Sequence, residues 1–499
     1  SFNLVTLQAM IGHETYNYKY NYLYGQKQNF LDPENIEFAN AAQITELTSY
    51  TRDYLLEGYF GQVTSDIAKK YFFSASIRRD GSSVFHPDHR WGTFWSVGAS
   101  WLLNKESFLA SSTIVDVLKL KASYGLQGND YLYLPNSTTR SYTPYHTLFQ
   151  ITSDGTNAGL SPRYKGRKEV TWEKNYNFNV GIEFSLLRGV VSGEIEYFQR
   201  RTKDLLFNLP VSTATGFTTE PWNIGDMRNR GIEVTLSSDI INRADVLWNV
   251  SVNATHYKNK VTYLPEQFRE NGITRGSQII KVGGSIYDFY LIKYRGVNPT
   301  NGAAIYQLKN TAGQFVDSTL TGTIDASSNR QYAGSALPKL AGGFSTNFRY
   351  KTFDASVTFS YQIGGKILDQ QYANLMNVNN NDGRSWSPDI LNTWTPTNTN
   401  TSVPRIEYNN QYMVPSFSDR FLTDASFLSL RNVNVGYNFG SKFFGGRIVK
   451  NARLYIAADN VWLGSKRKGL DPRTNLDGLN NGALYSAIRT VVAGLTINL

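Results

Sequence analysis

Between Tyr176 and Leu186 the chain reads Tyr, Phe, Val, Ile, Phe and Leu in strict alternation with Asn, Asn, Gly, Glu and Ser. Successive side chains of a strand point to opposite faces, so this run predicts a ribbon that is greasy on one side and wet on the other. The same period recurs along nearly the whole chain and predicts fourteen strands: 2–24, 49–64, 70–79, 90–103, 116–127, 171–187, 190–200, 230–238, 246–258, 341–351, 353–362, 427–439, 452–462 and 488–499. Most are near or above the roughly 9 to 11 residues that a tilted strand needs to cross a bilayer. In 90–103 the apolar row is Trp91, Thr93, Trp95, Val97, Ala99, Trp101 and Leu103, and the opposite row is small or polar around Phe94.

The connections alternate between short and long, as expected when one rim carries tight turns and the other carries elaborated loops. The long ones, rich in Asn, Thr, Gly and Pro, are 25–48, 128–170, 201–229, 259–340, 363–426 and 463–487, with a shorter loop at 80–89 on the same side. Residues 287–294 also read as a strand. Counting them into the wall would put every later short turn on the wrong rim, so they are expected in a hairpin within loop 259–340, paired with 304–308.

A composition with 32 Tyr and 28 Phe but no apolar run of helix-spanning length argues against helical membrane insertion. Cysteine is absent, which removes disulfides and thiolate chemistry. The formal charge is +10, yet Lys and Arg are scattered over loops and strand ends, so no nucleic-acid partner is expected; acidic lipid headgroups or an anionic ligand suit the charge better than nucleic acid does, and a diffusely basic solvated surface is the favoured account. Phe2 lies already inside an alternating segment with no leader before it, so the chain is expected to begin within a longer protein. A soluble sandwich alternates too. Against it stand the strand lengths, the Asn, Ser, Thr, Gly and Glu of the wet rows, and aromatics expected to end the apolar rows at Tyr16 to Tyr24, Trp91 and Trp462.

Seven stretches in this order resemble the SusC-like branch of TonB-dependent outer-membrane transporters, typical of Bacteroidetes. They are RRDGSSVF from Arg78, RWGTFWSVGASWLL from Arg90, LKLKASYGLQGN from Leu118, WEKNYNFNVGIEFSLLRG from Trp172, NIGDMRNRGIEVTL from Asn223, FLSLRNVNVGYNF from Phe427 and ADNVWLGSKRKGLDP from Ala458. The resemblance implies an all-β, transmembrane antiparallel β-barrel, of which residues 1–499 would be about 14 C-terminal strands out of roughly 22, with the plug elsewhere. It further implies import of an oligosaccharide or peptide, a SusD-like surface lipoprotein as partner, and TonB acting through a plug supplied by an N-terminal portion of the same or a separate chain. Outer-membrane lipid would surround the wall. Two other readings stay open: a self-contained 14-stranded porin, and a non-transporting scaffold or receptor for surface lipoproteins.

No enzyme chemistry is expected, and no catalytic residue is assigned. Arg79, Asp80, Gly81 and Ser82 match a family hallmark and are read as a strand-to-loop transition in which Gly81 supplies turn angles and Asp80 bonds its own backbone. Asn229, Gly231 and Glu233 mark re-entry into the wall, with Glu233 on the wet row; Asp459 and Asn460 belong to the last motif. Any ligand contacts are expected from the long external loops, whose aromatics Tyr142, Tyr145, Trp222, Trp386 and Trp394 could stack on sugar rings or peptide side chains, although packing against another loop or a partner protein is the favoured role. His86, Asp88 and His89, around Pro87, could be read as metal ligands but are taken as a polar loop tip after Arg79 to Ser83, with no further ligand nearby. No cofactor is expected, with calcium on the Asn-rich run 377–383 the one exception left open.

Overall fold

The structure, a computed structural model, describes residues 4–135, 139–153, 157–319, 326–377, 385–406, 418–445, 448–480 and 485–498. Its main element is a fourteen-stranded antiparallel sheet whose strands pair in chain order. They are β1 Val5–Phe30, β2 Ala41–Ile67, β3 Tyr71–Ser82, β4 Trp91–Leu102, β5 Val115–Asn129, β6 Glu173–Leu186 and β7 Val191–Lys203. The order continues with β8 Asp226–Asn242, β9 Val246–Tyr263, β10 Leu340–Tyr350, β11 Phe353–Ile363, β12 Phe427–Gly440, β13 Asn451–Ser465 and β14 Thr490–Asn498. Each contains most of one predicted segment. By packing, the chain divides into two compact units, one of Ser1–Trp101, Lys121–Phe178 and Arg200–Asp226, the other of Leu102–Leu120, Asn179–Gln199 and Met227–Leu499.

In the first unit the pairing of β1 to β4 lines up Ala9, Val63, Ala75 and Val97, and next to them Ile11, Gly61, Ile77 and Trp95. This row is apolar and yet open to the surroundings, with Ile11 at 91%, Ile77 at 58% and Val97 at 48% exposure. The opposite row pairs Gln8, Thr64, Ser74 and Gly98, then Met10, Gln62, Ser76 and Ser96. A soluble core would hide the first row and expose the second. Here both are open, as expected of a wall between lipid and water.

The second unit repeats the pattern. Val252, Phe344, Phe359, Leu430 and Trp462 form one apolar rung, and Trp248, Phe348, Ala355, Val435, Ile456 and Ala493 another. Their wet counterparts are Ser251, Ser345, Thr358, Asn432 and Asp459. The register slips between Leu430 and Asn432, where Asn460 takes φ of 51°. The extra residue of β12 in this bulge returns Leu428 and Leu430 to the apolar side, where Trp462 already lies by even spacing from Ile456, because an unbulged period of two would turn the two leucines inward.

Two expectations are corrected. Loop 25–48 is mostly strand: β1 runs on to Phe30 and β2 starts at Ala41, so only 31–40 connect them. The alternation fades there because both faces stand in water, while polar pairs such as Gln28 Nε2 to Gln43 Oε1 at 2.8 Å accompany the ladder. β3 ends at Ser82, opposite Leu56, so residues 41–55 have only β1 beside them among the described pairings. That makes roughly 50 Å of two-stranded ribbon at ~3.4 Å per residue. Tyr16 to Tyr24, expected to end the apolar row, lie instead on the wet row of Gln8, Gly12 and Glu14. The lipid-side row has already turned polar at that height, through Thr15, Asn17, Lys19 and Asn21.

Segment 287–294 stays out of the wall, as the parity of the turns requires, but it divides. Asp288–Leu291 pairs with Gln278–Ile280 and Gln331–Ser335, and Tyr294–Val297 pairs with Ala304–Lys309. These strands belong to a folded module in the second unit. Phe289, Leu291 and Ala336 from loop 259–340 share a core with Leu368, Ala373, Met376, Ile390, Val403 and Phe421 from loop 363–426, and Leu479 from loop 463–487 packs against it. Main-chain bonds cross the loops as well, from Leu368 N to Gly478 O at 2.8 Å and from Asp419 N to Ile292 O at 3.0 Å.

Because Phe289 is fully buried in that module, Phe289→Ala is expected to destabilise it by about 3–5 kcal/mol. Limited proteolysis should then cut all three loops together while the strands of the wall stay uncut; cleavage confined to 259–340 would disprove a shared core.

Candidate functional site

The first unit gathers aromatic and charged groups on one face of the β1–β2 ribbon. Tyr18, Tyr20, Tyr22 and Tyr24 occupy alternate positions of one strand, and their rings stack at 6.4 Å between successive centroids. β2 adds Tyr50, 4.8 Å from Tyr22, and Tyr54, 6.0 Å from Tyr16. The register sets Tyr18 opposite Tyr54, Tyr20 opposite Arg52 and Tyr22 opposite Tyr50, which is why a period of two on both strands makes a continuous surface. Tyr142 reaches it from loop 128–170, with its ring 6.5 Å from Tyr18 and 6.2 Å from Tyr54.

Below that face, Asp130 collects three donors. Tyr54 donates through its hydroxyl at 3.1 Å, Ser82 through Oγ at 2.6 Å and Arg140 through Nη2 at 2.6 Å. The Arg140 guanidinium also lies 4.5 Å from the Tyr54 ring and 4.9 Å from that of Tyr131. A carboxylate with three charge-assisted or hydroxyl bonds fixes the orientation of everything attached to it. Asp130 therefore ties β2, β3 and loop 128–170 together beneath the tyrosines.

The hallmark stretch has a different role from the one expected. Gly81 lies inside β3 without a positive φ; a β-carbon there would come within 3.0 Å of the Trp91 ring, so the residue is small for packing rather than for a turn. Asp80 accepts from Arg78 Nε at 2.5 Å instead of from its own backbone, and Arg78 also donates to Glu14 at 2.9 Å. Arg79 points to the other face, with its guanidinium 5.7 Å from the Trp91 ring. Ser82 is fully buried on Asp130.

The other predicted residues disperse. Tyr145 packs edge-on against His86 at 5.8 Å, and His86 Nδ1 pairs with Asp88 Oδ2 at 3.2 Å. Trp222 is covered by the Arg167 guanidinium, 3.3 Å from its ring centroid, while Lys165 and Arg167 both pair with Glu220, at 3.3 and 3.6 Å. In the second unit Trp394 donates to Pro299 O at 3.0 Å, which joins two loops, and Trp386 is half exposed. Asn229 accepts from Asn259 Nδ2 at 2.8 Å, Gly231 leaves room for the Phe198 ring, and Glu233 is exposed on the wet row. Asp459 accepts from Asn432 Nδ2 at 2.7 Å, and Asn460 donates to Ile488 O at 3.1 Å across the bulge. The run 377–383 lies outside the described residues from position 378 onward. Among the described residues no three His, Asp or Glu converge as a metal site would need.

Sequence reasoning missed Asp130, Arg140, Arg52, Asp471 and Arg473. Asp130 directly follows the Gly-Asn of a matched stretch, and Asp471 lies within one. Arg473 grips both oxygens of Asp471, at 2.8 and 2.6 Å, and reaches the buried Ser429 Oγ at 2.8 Å. Burial pushes the Asp471 carboxyl up, but the bonds from Arg473 outweigh it and hold the group below the usual carboxylate range.

The family model for the TonB-dependent receptor-like β-barrel matches residues 1–461. The chain belongs to that family. TonB-dependent receptors are outer-membrane proteins of transport rather than enzymes, and this TonB-dependent receptor chain is likewise an outer-membrane protein. Its curated relatives include TonB-dependent receptor P3 of Formosa agariphila, 29% identical over 90% of this chain and 46% of that protein. TonB-dependent receptor SusC of Bacteroides thetaiotaomicron is 30% identical over 91% of this chain and 45% of its own length. The chain thus spans about half the length of the curated relatives it matches. In fold it resembles the RagAB peptide transporter, with a TM-score of 0.86 at 23% identity over 99% of this chain and 53% of that one.

Asp130→Ala is expected to cost about 3 kcal/mol, because it strands the Arg140 charge and two hydroxyls, against about 1 kcal/mol for Ser82→Ala. Chemical denaturation of the two variants checks this. Equal losses would reduce Asp130 to an ordinary hydrogen-bond acceptor.

In the second unit, burial raises the Asp419 carboxyl above its ordinary value against bonds and cations that pull it down, chiefly the Tyr294 amide. A raised folded pKa means that the folded module holds the proton more tightly. Its stability therefore falls as pH rises from the ordinary carboxylate pKa through the raised one. Asp419→Asn keeps the acceptor for Tyr294 N and should flatten the module's protease resistance between acid and neutral pH; an unchanged pH profile would count against this assignment.

Proposed function

We propose that this chain is the C-terminal barrel portion of a SusC-like active importer that carries an oligosaccharide or peptide across the outer membrane. The observation that carries the reading is the family match over residues 1–461 joined to a wall with one lipid-facing and one hydrated row. The work of such a wall is enclosure and selective binding. The remaining strands, to a total of roughly 22, and the plug would come from a preceding portion.

A SusD-like lipoprotein would cover the long loops, and TonB would act on the plug. One feature supports a lid. Loops 259–340, 363–426 and 463–487 form a pre-organised platform, and a rigid surface binds without the entropic cost of ordering loops. The name of the structural neighbour, a peptide transporter, keeps a peptide cargo within the reading.

Deletion of the gene for the complete protein should abolish uptake of its cargo, and deletion of TonB should do so to the same extent. A tagged protein purified in detergent should bring a surface lipoprotein with it. Uptake that persists without TonB would leave a passive porin as the better description, and lipoprotein binding without any uptake would leave a scaffold.

A further inference from the structure

The tyrosine face carries one cation that the fold leaves unused. Arg52 lies in the middle of it, with its guanidinium carbon 4.4 Å from the ring centroid of Tyr50 and 5.8 Å from that of Tyr142. Among the described residues Arg52 has no carboxylate partner. Its neighbours on the same side of the sheet do: Arg78 is held by Glu14 and Asp80, and Arg140 by Asp130. A guanidinium resting on an aromatic ring keeps its plane fixed and its N–H edge free. That is the geometry that receives a carboxylate through two parallel hydrogen bonds.

The surroundings narrow the class of ligand. Because Tyr18, Tyr20, Tyr22 and Tyr24 stack on one another, they offer ring edges and hydroxyls rather than open ring faces. The hydroxyls of Tyr20, Tyr22 and Tyr50 make no hydrogen bond to another described residue, and each can both donate and accept. A polyhydroxylated chain matches such a row. A peptide matches it less well, because strand addition engages main-chain groups along a sheet edge, whereas these hydroxyls and Arg52 lie on a sheet face, with Tyr18 opposite Tyr54 and Tyr22 opposite Tyr50.

We propose that the face centred on Arg52 binds an acidic oligosaccharide, with Arg52 taking a sugar carboxylate and Tyr20, Tyr22 and Tyr50 taking neighbouring hydroxyls. The assignment rests on the import reading above and names the class of cargo for it. Charge selects the ligand at Arg52, and the hydroxyl row sets its orientation along the ribbon.

The test is calorimetric titration of the complete transporter in detergent with three probes: hexagalacturonate, the neutral maltohexaose and hexaglutamate. Hexagalacturonate should bind best, its affinity should fall as salt rises, and Arg52→Ala should weaken it about tenfold, the loss expected for one charge-assisted pair. Arg52→Lys should restore only part, since an ammonium lacks the planar fork. Tyr22→Phe and Tyr50→Phe, which leave the rings in place, should each weaken binding without altering its salt dependence. Equal binding of maltohexaose, tighter binding of hexaglutamate, or an Arg52→Ala protein that binds like the parent would each overturn the proposal. Uptake is read separately in cells. Arg52-dependent binding without uptake would overturn the import reading alone, and uptake with binding indifferent to Arg52 would overturn the acidic-glycan face alone.

Discussion

A main chain in hydrocarbon has no water to bond, and each amide or carbonyl left unpaired there costs several kcal/mol. This constraint governs the rest of the molecule. It makes every wall strand depend on neighbours, it forces one row of each strand toward lipid, and it confines irregular backbone to the ends of the strands. The rungs from Ala9 to Val97 and from Trp248 to Ala493 are what obedience to it looks like. Even the exception at Arg431 and Asn460 serves it, because the bulge keeps Leu430 on the lipid side beside Trp462.

The wall was legible in the sequence because a lipid face and a water face differ more sharply than any other pair of environments. Period-two alternation recovered the strands, and the parity of short and long turns kept 287–294 out of the wall. Legibility failed where that contrast disappears. Residues 25–30 and 41–48 have water on both sides, so nothing in their pattern marks the strand that main-chain pairing makes there. Tyr16 to Tyr24 misled for a related reason: tyrosine suits a membrane boundary and a hydrated binding face alike, and only the register against Gln8, Gly12 and Glu14 decides between them.

The candidate site was less readable still. Its aromatic component announced itself as a run of tyrosines, but Asp130 and Arg140 are ten residues apart in a loop and meet Tyr54 and Ser82 only after folding. Gly81 shows the same limit in a hallmark motif. The residue type suggested a turn, while the structure uses the missing side chain to seat Trp91. Loop aromatics behaved as packing groups at Trp222 and Trp394, where a guanidinium and a neighbouring carbonyl occupy the surfaces a ligand would need.

The shared core of loops 259–340, 363–426 and 463–487 has a bearing on how such receptors diversify. Phe289, Met376 and Phe421 lie in one interior, so a change in one loop is felt as a cavity or a clash by the others. Grafting a single loop from a relative would split that interior. A new specificity on this platform therefore needs compatible side chains in three segments scattered along the chain at once.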